Sequence, residues 1–250
     1  MAAVLYAFPA SHPSAAVERA LQLKGMPYRR VELIPVAHKL PQRLRFGTSS
    51  VPGVAFDDGK RVSGSRAILR ELEQRMPEPA LLPSDRDARA RVERAEEWGD
   101  QVLQPVARRV VWAGLRRATG AVMSYSAGAK LPVPAPAARL TAPLVAWMAA
   151  RVNGANDAAV RADLLALPTH LARIDAWIED GTLGGDAINA ADLQICSSLR
   201  LLQTLEDVTG VVDAHPAGAL ARRVFAEYPG CVPVGALPPE WLPAPANGGQ

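Results

Sequence analysis

The chain has 250 residues, 49% hydrophobic and 21% charged, and a formal net charge of +3. That composition excludes a disordered chain and leaves room for one large domain or two small ones with a real core. Like charges do not gather into a run, so nothing here forms the clustered basic face that nucleic-acid binding needs.

Val4 to Phe8 is a short apolar run ending at Pro9 and reads as a buried strand. Ser14 then precedes Ala15 to Lys24, where Val17, Ala20, Leu21 and Lys24 share one helical face. Ser14 is the plausible N-cap and Gly25 the stop. Tyr28 to Ile34 alternates around Val31 and Leu33 as a second strand. Strand, helix and strand over this span make a βαβ unit with a parallel pair. Pro35 to Thr48 is irregular or weakly helical. Val51 to Phe56 gives a third strand, and the turn Asp57-Asp58-Gly59 leads to a short fourth at Arg61-Val62. Ser65 opens a helix carrying Ile68, Leu69, Leu72 and Met76, closed by Pro77 and Pro79.

Met76 to Ser84 is proline-rich and aperiodic, and the linker is placed at 78–84. Beyond it the periodicity is helical. Asp85 to about Thr119 reads as one long helix bent at Pro105. Gly120 to Pro136 reads as a loop. Ala142 to Val152, Asp157 to Asp180, a helix starting at Asn189, and His215 to Tyr228 complete the series. The expected units are therefore 1–77, mixed α/β, and 85–230, all helical, with a tail at 231–250 that packs along the surface or is loose.

Cys196 and Cys231 are too sparse for a disulfide framework and point to free thiols in a reducing compartment. The N-terminus lacks the basic start of a signal peptide, and the apolar stretch Leu140 to Ala150 is too short to span a bilayer. A cytoplasmic protein with no membrane partner is expected. His12, His38, His170 and His215 are scattered without metal-ligand spacing, so no metal is expected. A glycine-rich phosphate loop and a nucleophile elbow are both missing.

Four constellations carry the chemistry. Ser11-His12-Pro13-Ser14 lies just ahead of the first helix. Its hydroxyls either cap that helix or, with the positive helix end, stabilise a thiolate and lower its pKa. Val51-Pro52 opens a strand. The bond is either trans at an edge or cis, and the cis form presents the Val51 N–H and C=O to an extended peptide-like ligand. Gly64-Ser65-Arg66-Ala67-Ile68 puts Ser65 at a helix start, as an N-cap whose neighbouring N–H groups are ready for a carboxylate. Asn189-Ala190-Ala191-Asp192 is a variant capping box with a structural role.

In this order the four motifs resemble the glutathione S-transferases, over about residues 4–228. The loop looks most like the theta-type and related bacterial members, whose first serine activates the thiol, which maps onto Ser11. The resemblance implies a thioredoxin-like N-terminal domain that binds glutathione and an all-α C-terminal domain. It implies that Val51 and Pro52 meet the tripeptide backbone, that Ser65 with Arg66 meets the γ-glutamyl carboxylate, and that His38 lies near the glycyl carboxylate. The implied activity is addition of the thiolate of glutathione, or a similar low-molecular-weight thiol, to an electrophile, a transferase reaction of the detoxifying kind. A homodimer is implied by resemblance alone. Trp112, Met123 and Tyr125 would offer apolar contact to the second substrate. Ser14 fills the second position of a thioredoxin-type Cys-x-x-Cys and Ser11 the first, which speaks against disulfide exchange. The departure is Gly64, where the family usually has Glu or Gln against the γ-glutamyl ammonium. Losing such a partner costs about 2–5 kcal/mol of binding. The same fold also accommodates a ligand-binding or scaffold protein without turnover, and a thiol-dependent isomerase or dehalogenase.

Overall fold

A computed structural model describes residues 2–34, 38–127 and 134–243. A four-stranded sheet in the order β2-β1-β3-β4 is followed by a helical half. Strand β1 (Ala3–Ala7) lies at the centre because its alternate residues Ala3, Leu5 and Ala7 are all buried. It pairs in parallel with β2 (Tyr28–Glu32) and antiparallel with β3 (Gly53–Phe56), which pairs in turn with β4 (Arg61–Ser63). Helix α1 (His12–Leu23) joins the parallel pair, as the βαβ reading requires. It packs beside α3 (Ser65–Arg75), burying Ala16, Val17, Ala20 and Leu21 near Ile68, Leu69 and Leu72. This is a thioredoxin-like sheet with a helical extension.

Two helix starts differ from expectation. The N-cap of α1 is Ser11, and Ser14 is already helical. Pro13 does not delay the helix, because a first-turn residue has no intrahelical use for an N–H. The N-cap of α3 is Gly64, and Ser65 is its first helical residue. The weakly helical stretch before β3 contains α2 (Lys39–Phe46), with Gly47 left-handed at its end; residues 35–37 lie outside the described set.

The proline-rich linker is stitched down from both sides. Lys24, whose side chain is fully buried, donates to Glu73 at 2.8 Å, to the Met76 carbonyl, and to the Pro79 carbonyl at 2.9 Å. Glu73 in turn accepts from the Leu81 and Leu82 N–H groups. A buried ammonium needs this number of acceptors.

The long bent helix proves to be three segments. Helix α4 (Arg86–Trp98) runs into a π-turn at Gly99–Leu103, and α5 (Gln104–Arg117) continues from it. Pro105 sits in the first turn of α5. The wider turn just ahead of it absorbs the N–H that proline lacks and its clash with the preceding turn. The expected loop contains 3₁₀ turns at Thr119–Ser126, residues 128–133 lie outside the described set, and α6 (Ala135–Val152) begins earlier than expected and carries Pro143 within it. Helix α7 (Asp157–Glu179) is as read.

Helix α8 (Ala190–Leu202) is the axle of this half. Every one of its residues is buried, and it packs against α1, α4, α5 and α10. Helix α9 (Glu206–Asp213) gives no strong sequence signal, since it is short and contains Thr209 and Gly210; the burial of Val208 and Val212 holds it. The last helix, α10 (Pro216–Val224), ends before Tyr228. Tyr228 precedes Pro229, a position biased away from helix. The tail is packed over the described residues 231–243: Val232 bridges Leu205, and Leu237 and Trp241 are buried. Both cysteines are free, Cys196 buried and Cys231 exposed. Among the described residues, no helix is long and apolar enough to cross a membrane, and no His, Cys, Asp and Glu group could hold a metal ion.

Candidate functional site

Register puts the serine loop and the Val-Pro segment at the same end of the sheet. The end of β1 lies beside the start of β3, with Tyr6 opposite Gly53. The loop Phe8–Ser11 therefore leaves the sheet where Val51 and Pro52 enter it. The Pro52 carbonyl accepts from the Gly64 N–H at 2.9 Å, which brings the start of α3 to the same place.

Ser11 has a polarised hydroxyl. The Ser14 hydroxyl donates to Ser11 Oγ at 2.8 Å, while the Ser14 N–H reaches it only at 3.4 Å. Ser11 Oγ thus acts as acceptor within the protein, and its own proton remains available to an incoming anion. A hydroxyl that accepts one hydrogen bond donates a stronger one. The Pro13 ring removes one N–H from the helix end, so the His12 N–H is the main backbone donor left beside Ser11.

The Val51–Pro52 bond is cis. Neither the N–H nor the C=O of Val51 has a hydrogen-bond partner among the described residues. The Ser65 hydroxyl is likewise without one, and so are the N–H groups of Ser65, Arg66 and Ala67 in the first turn of α3, which has no side-chain cap. An uncapped helix start with a free hydroxyl suits a carboxylate. Arg66 turns elsewhere, toward Glu96 and Glu97 of α4 at 3.7 Å each. His38 sets its ring edge-on against Phe8 at 4.6 Å between centroids, and burial holds its pKa below the ordinary histidine range. As a neutral imidazole it offers a hydrogen bond, not a charge.

Gly64 has φ +91° and ψ 135°, a conformation essentially reserved for glycine. A side chain there would meet nothing within 4 Å. Gly64→Ala therefore isolates the backbone term and is expected to cost about 1–3 kcal/mol, read as a lower midpoint in urea unfolding with an unchanged slope. A midpoint equal to the parent's would mean that the turn relaxes freely.

His12 is 2% exposed, and both its ring nitrogens lack a hydrogen-bond partner. Burial, helped by the Arg108 charge, holds its pKa well below 6.5. The unfolded chain takes up a proton at this histidine as pH falls through about 6.5, and the folded chain does not. Folding stability should therefore fall as pH drops below 6.5, by up to about 1.4 kcal/mol per pH unit. Unfolding midpoints at pH 7.5, 6.5 and 5.5 check this, and His12→Phe should flatten the slope. An equal slope in both proteins would assign it to other groups.

A cavity of about 600 Å³ lies on the other side of the serine loop, between the outer face of α1, the edge strand β2 and the segment Phe225–Pro229. Ser11 lines it; His38, Val51, Pro52 and Ser65 do not. Of Trp112, Met123 and Tyr125, only Tyr125 lines it, and its hydroxyl is bound to Thr204 at 2.6 Å. Trp112 packs against the core. Of the residues proposed for the glutathione side, Ser11 is thus the one that lines this cavity. Sequence reasoning missed Tyr228, which lines the cavity and reaches the serine loop from more than 200 residues away. No local pattern marks such a residue.

Residues 5–80 match the family described as glutathione S-transferase, N-terminal domain. The chain is 37% identical over 92 residues to a maleylacetoacetate isomerase of Pseudomonas aeruginosa, covering 35% of this chain and 43% of that protein. It is 36% identical over 127 residues to a maleylpyruvate isomerase of Ralstonia sp, covering 47% and 56%. The chain therefore matches about half the length of these curated relatives. Among solved structures, a β-etherase from Sphingobium sp. strain SYK-6 superposes with a TM-score of 0.66 at 22% identity, over 91% of this chain and 96% of that one. A maleylacetoacetate isomerase from Anaeromyxobacter dehalogenans, solved with glutathione in its active site, superposes with a TM-score of 0.56 at 24% identity, over 89% of each chain.

Proposed function

On the premise that this chain carries a glutathione S-transferase N-terminal domain within a glutathione S-transferase fold, we propose that it binds glutathione at the Val51–Ser65 surface and uses Ser11 to hold the thiolate for attack on an activated double bond. The observation that carries the reading is the Ser14-to-Ser11 hydrogen bond, in which Ser11 Oγ accepts and keeps its own proton free to donate at the start of α1. The unpaired Val51 backbone would meet the cysteinyl residue of the tripeptide, and the free start of α3 its γ-glutamyl carboxylate. His38 would approach the glycyl end.

The chemistry is a conjugate addition. The thiolate sulfur forms a bond to the β-carbon, and the π pair moves onto the conjugated carbonyl oxygen as an enolate. Taking a proton from solvent then gives a stable conjugate, the transferase outcome. Rotation about the new single bond, followed by return of the enolate pair and expulsion of the thiolate, gives cis–trans isomerisation with no net change. Both outcomes need the same serine. The names of the relatives favour isomerisation of a maleyl-type, that is cis-unsaturated, acid. The acceptor would lie in the cavity beside Ser11. A soluble dimer acting in the cytoplasm fits this reading.

Gly64 favours a second reading, a ligand-binding protein without turnover, because it offers no carboxylate or amide to the γ-glutamyl ammonium. Calorimetry with glutathione, followed by assays of both a chloronitrobenzene conjugation and a maleyl-to-fumaryl isomerisation, separates the two. Micromolar-to-millimolar binding with turnover of either substrate supports the enzyme. Binding without turnover supports the second reading, and absence of glutathione binding overturns the enzyme reading and leaves the second, with a ligand other than glutathione.

A further inference from the structure

We propose that Tyr228 is a positioning residue for Ser11; this rests on the thiolate role given to Ser11 above. The Tyr228 hydroxyl donates to the Ala10 carbonyl at 2.8 Å. Ala10 is the residue immediately before Ser11 and has φ +53°, alone in that region among the described residues other than glycine. An alanine does not stay left-handed without support, because its Cβ crowds the following carbonyl. The direction of the Ala10 carbonyl depends on that conformation, and so does the direction in which the chain presents Ser11.

The loop is held from two sides. From the sheet, Arg30 donates to the Phe8 carbonyl at 3.0 Å and is itself held by Glu18 and Glu32. From the helical half comes Tyr228, and the segment that carries it is anchored at both ends. Arg200 of α8 donates to the Phe225 carbonyl at 2.8 Å and the Ala226 carbonyl at 3.3 Å. Beyond Tyr228, Gly230 lies so close to the Tyr125 ring that a Cβ there would stand 2.5 Å from it. The Cys231 N–H donates to Ser124 Oγ at 2.9 Å, and the Val232 N–H donates to the Thr204 carbonyl at 2.8 Å. Tyr228 is thus presented by a fixed strap, not by a free end, and its hydroxyl transmits the position of the helical half to the serine loop. Burial pushes the Tyr228 pKa up, so the hydroxyl keeps its proton and remains a donor.

The test uses the full chain and reads the pKa of bound glutathione from its thiolate absorbance as a function of pH. A loss of structure alone would not move this value. In Tyr228→Phe the ring still fills its place and only the hydroxyl is lost. The bound thiol pKa should rise by about one unit and turnover should fall about tenfold, with melting temperature close to the parent's and glutathione affinity unchanged at a pH where the bound thiol is protonated. Ala10→Gly in the Tyr228→Phe background should recover part of the loss, because glycine adopts φ +53° without help. Ser11→Ala is run alongside. A depressed thiol pKa in the parent that is lost in Ser11→Ala but kept in Tyr228→Phe would overturn this inference alone. No depression in the parent would overturn it together with the role of Ser11.

Discussion

Ser11→Ala is expected to lower turnover about 100-fold while leaving the protein folded. Removing a donor aimed at developing or resident negative charge in a sheltered site costs about 2.7–4 kcal/mol. The cost to folding should be far smaller. The Ser11 side chain caps α1 only through a 3.4 Å contact from the Ser14 N–H, so the usual cap loss of about 1 kcal/mol is an upper figure. For a chain of this size that amounts to about 2–4 °C in melting temperature. The bound thiol pKa should rise with the loss of turnover, since both report the same hydrogen bond. Ser14→Ala should fall between the two proteins, because it removes the 2.8 Å hydrogen bond into Ser11 Oγ but leaves the hydroxyl itself. Turnover of Ser11→Ala within twofold of the parent would remove Ser11 from the chemistry and leave it as a cap.

Much of the fold could be read from the sequence because local signals and tertiary packing agree there. The apolar run Val4 to Phe8, the alternation around Val31, and the Asp57-Asp58-Gly59 turn each specify one element without help from the rest. Where the reading failed, packing overrode local preference. Nothing within Gly99–Leu103 announces a π-turn; it follows from Pro105 meeting a helix that must continue along α8. Helix α9 holds despite Thr209 and Gly210 because Val208 and Val212 are buried. Both missed helix starts have the same origin: a serine near a helix end can cap or be helical, and only the backbone conformation decides.

The site divides in the same way. The proposed site residues Ser11, Val51, Pro52 and Ser65 could be named from the sequence because each sits at an element boundary, where the sequence leaves a mark. The cavity wall could not. Tyr125 and Tyr228 come to line the same cavity as Ser11 through the packing of the helical half, and Trp112 and Met123 looked equally suitable on composition. Gly64 was visible as a departure but not as a constraint. Its φ of +91° shows that any substitution adding a carboxylate there carries a strain term of about 1–3 kcal/mol beside any gain in ligand binding.

The largest effect on folding is expected at Asp192. Its carboxylate is 1% exposed and accepts from two backbone N–H groups, Gly184 at 2.9 Å and Asn189 at 3.0 Å. Asn189 reciprocates by accepting from the Ala191 and Asp192 N–H groups, which completes the capping box. Asp192→Ala takes the carboxylate from two half-buried donors and weakens the start of α8, at about 1–3 kcal/mol for each group left without its partner. A loss of about 3–5 kcal/mol follows, a large part of the 5–15 kcal/mol typical of a folded domain. Because α8 is buried along its whole length and touches α1 as well as the helical half, the damage should spread to the sheet side and not remain local. Asp192→Asn should cost about half as much. Burial raises the Asp192 pKa, so the charge itself is not favoured, but an amide offers one acceptor where two are needed. Urea unfolding of the three proteins should rank Ala below Asn below the parent, and hydrogen exchange should show protection lost in α1 as well as α8. An alanine variant within 1 kcal/mol of the parent would mean that water replaces the carboxylate, and that the box orders the helix without stabilising the fold.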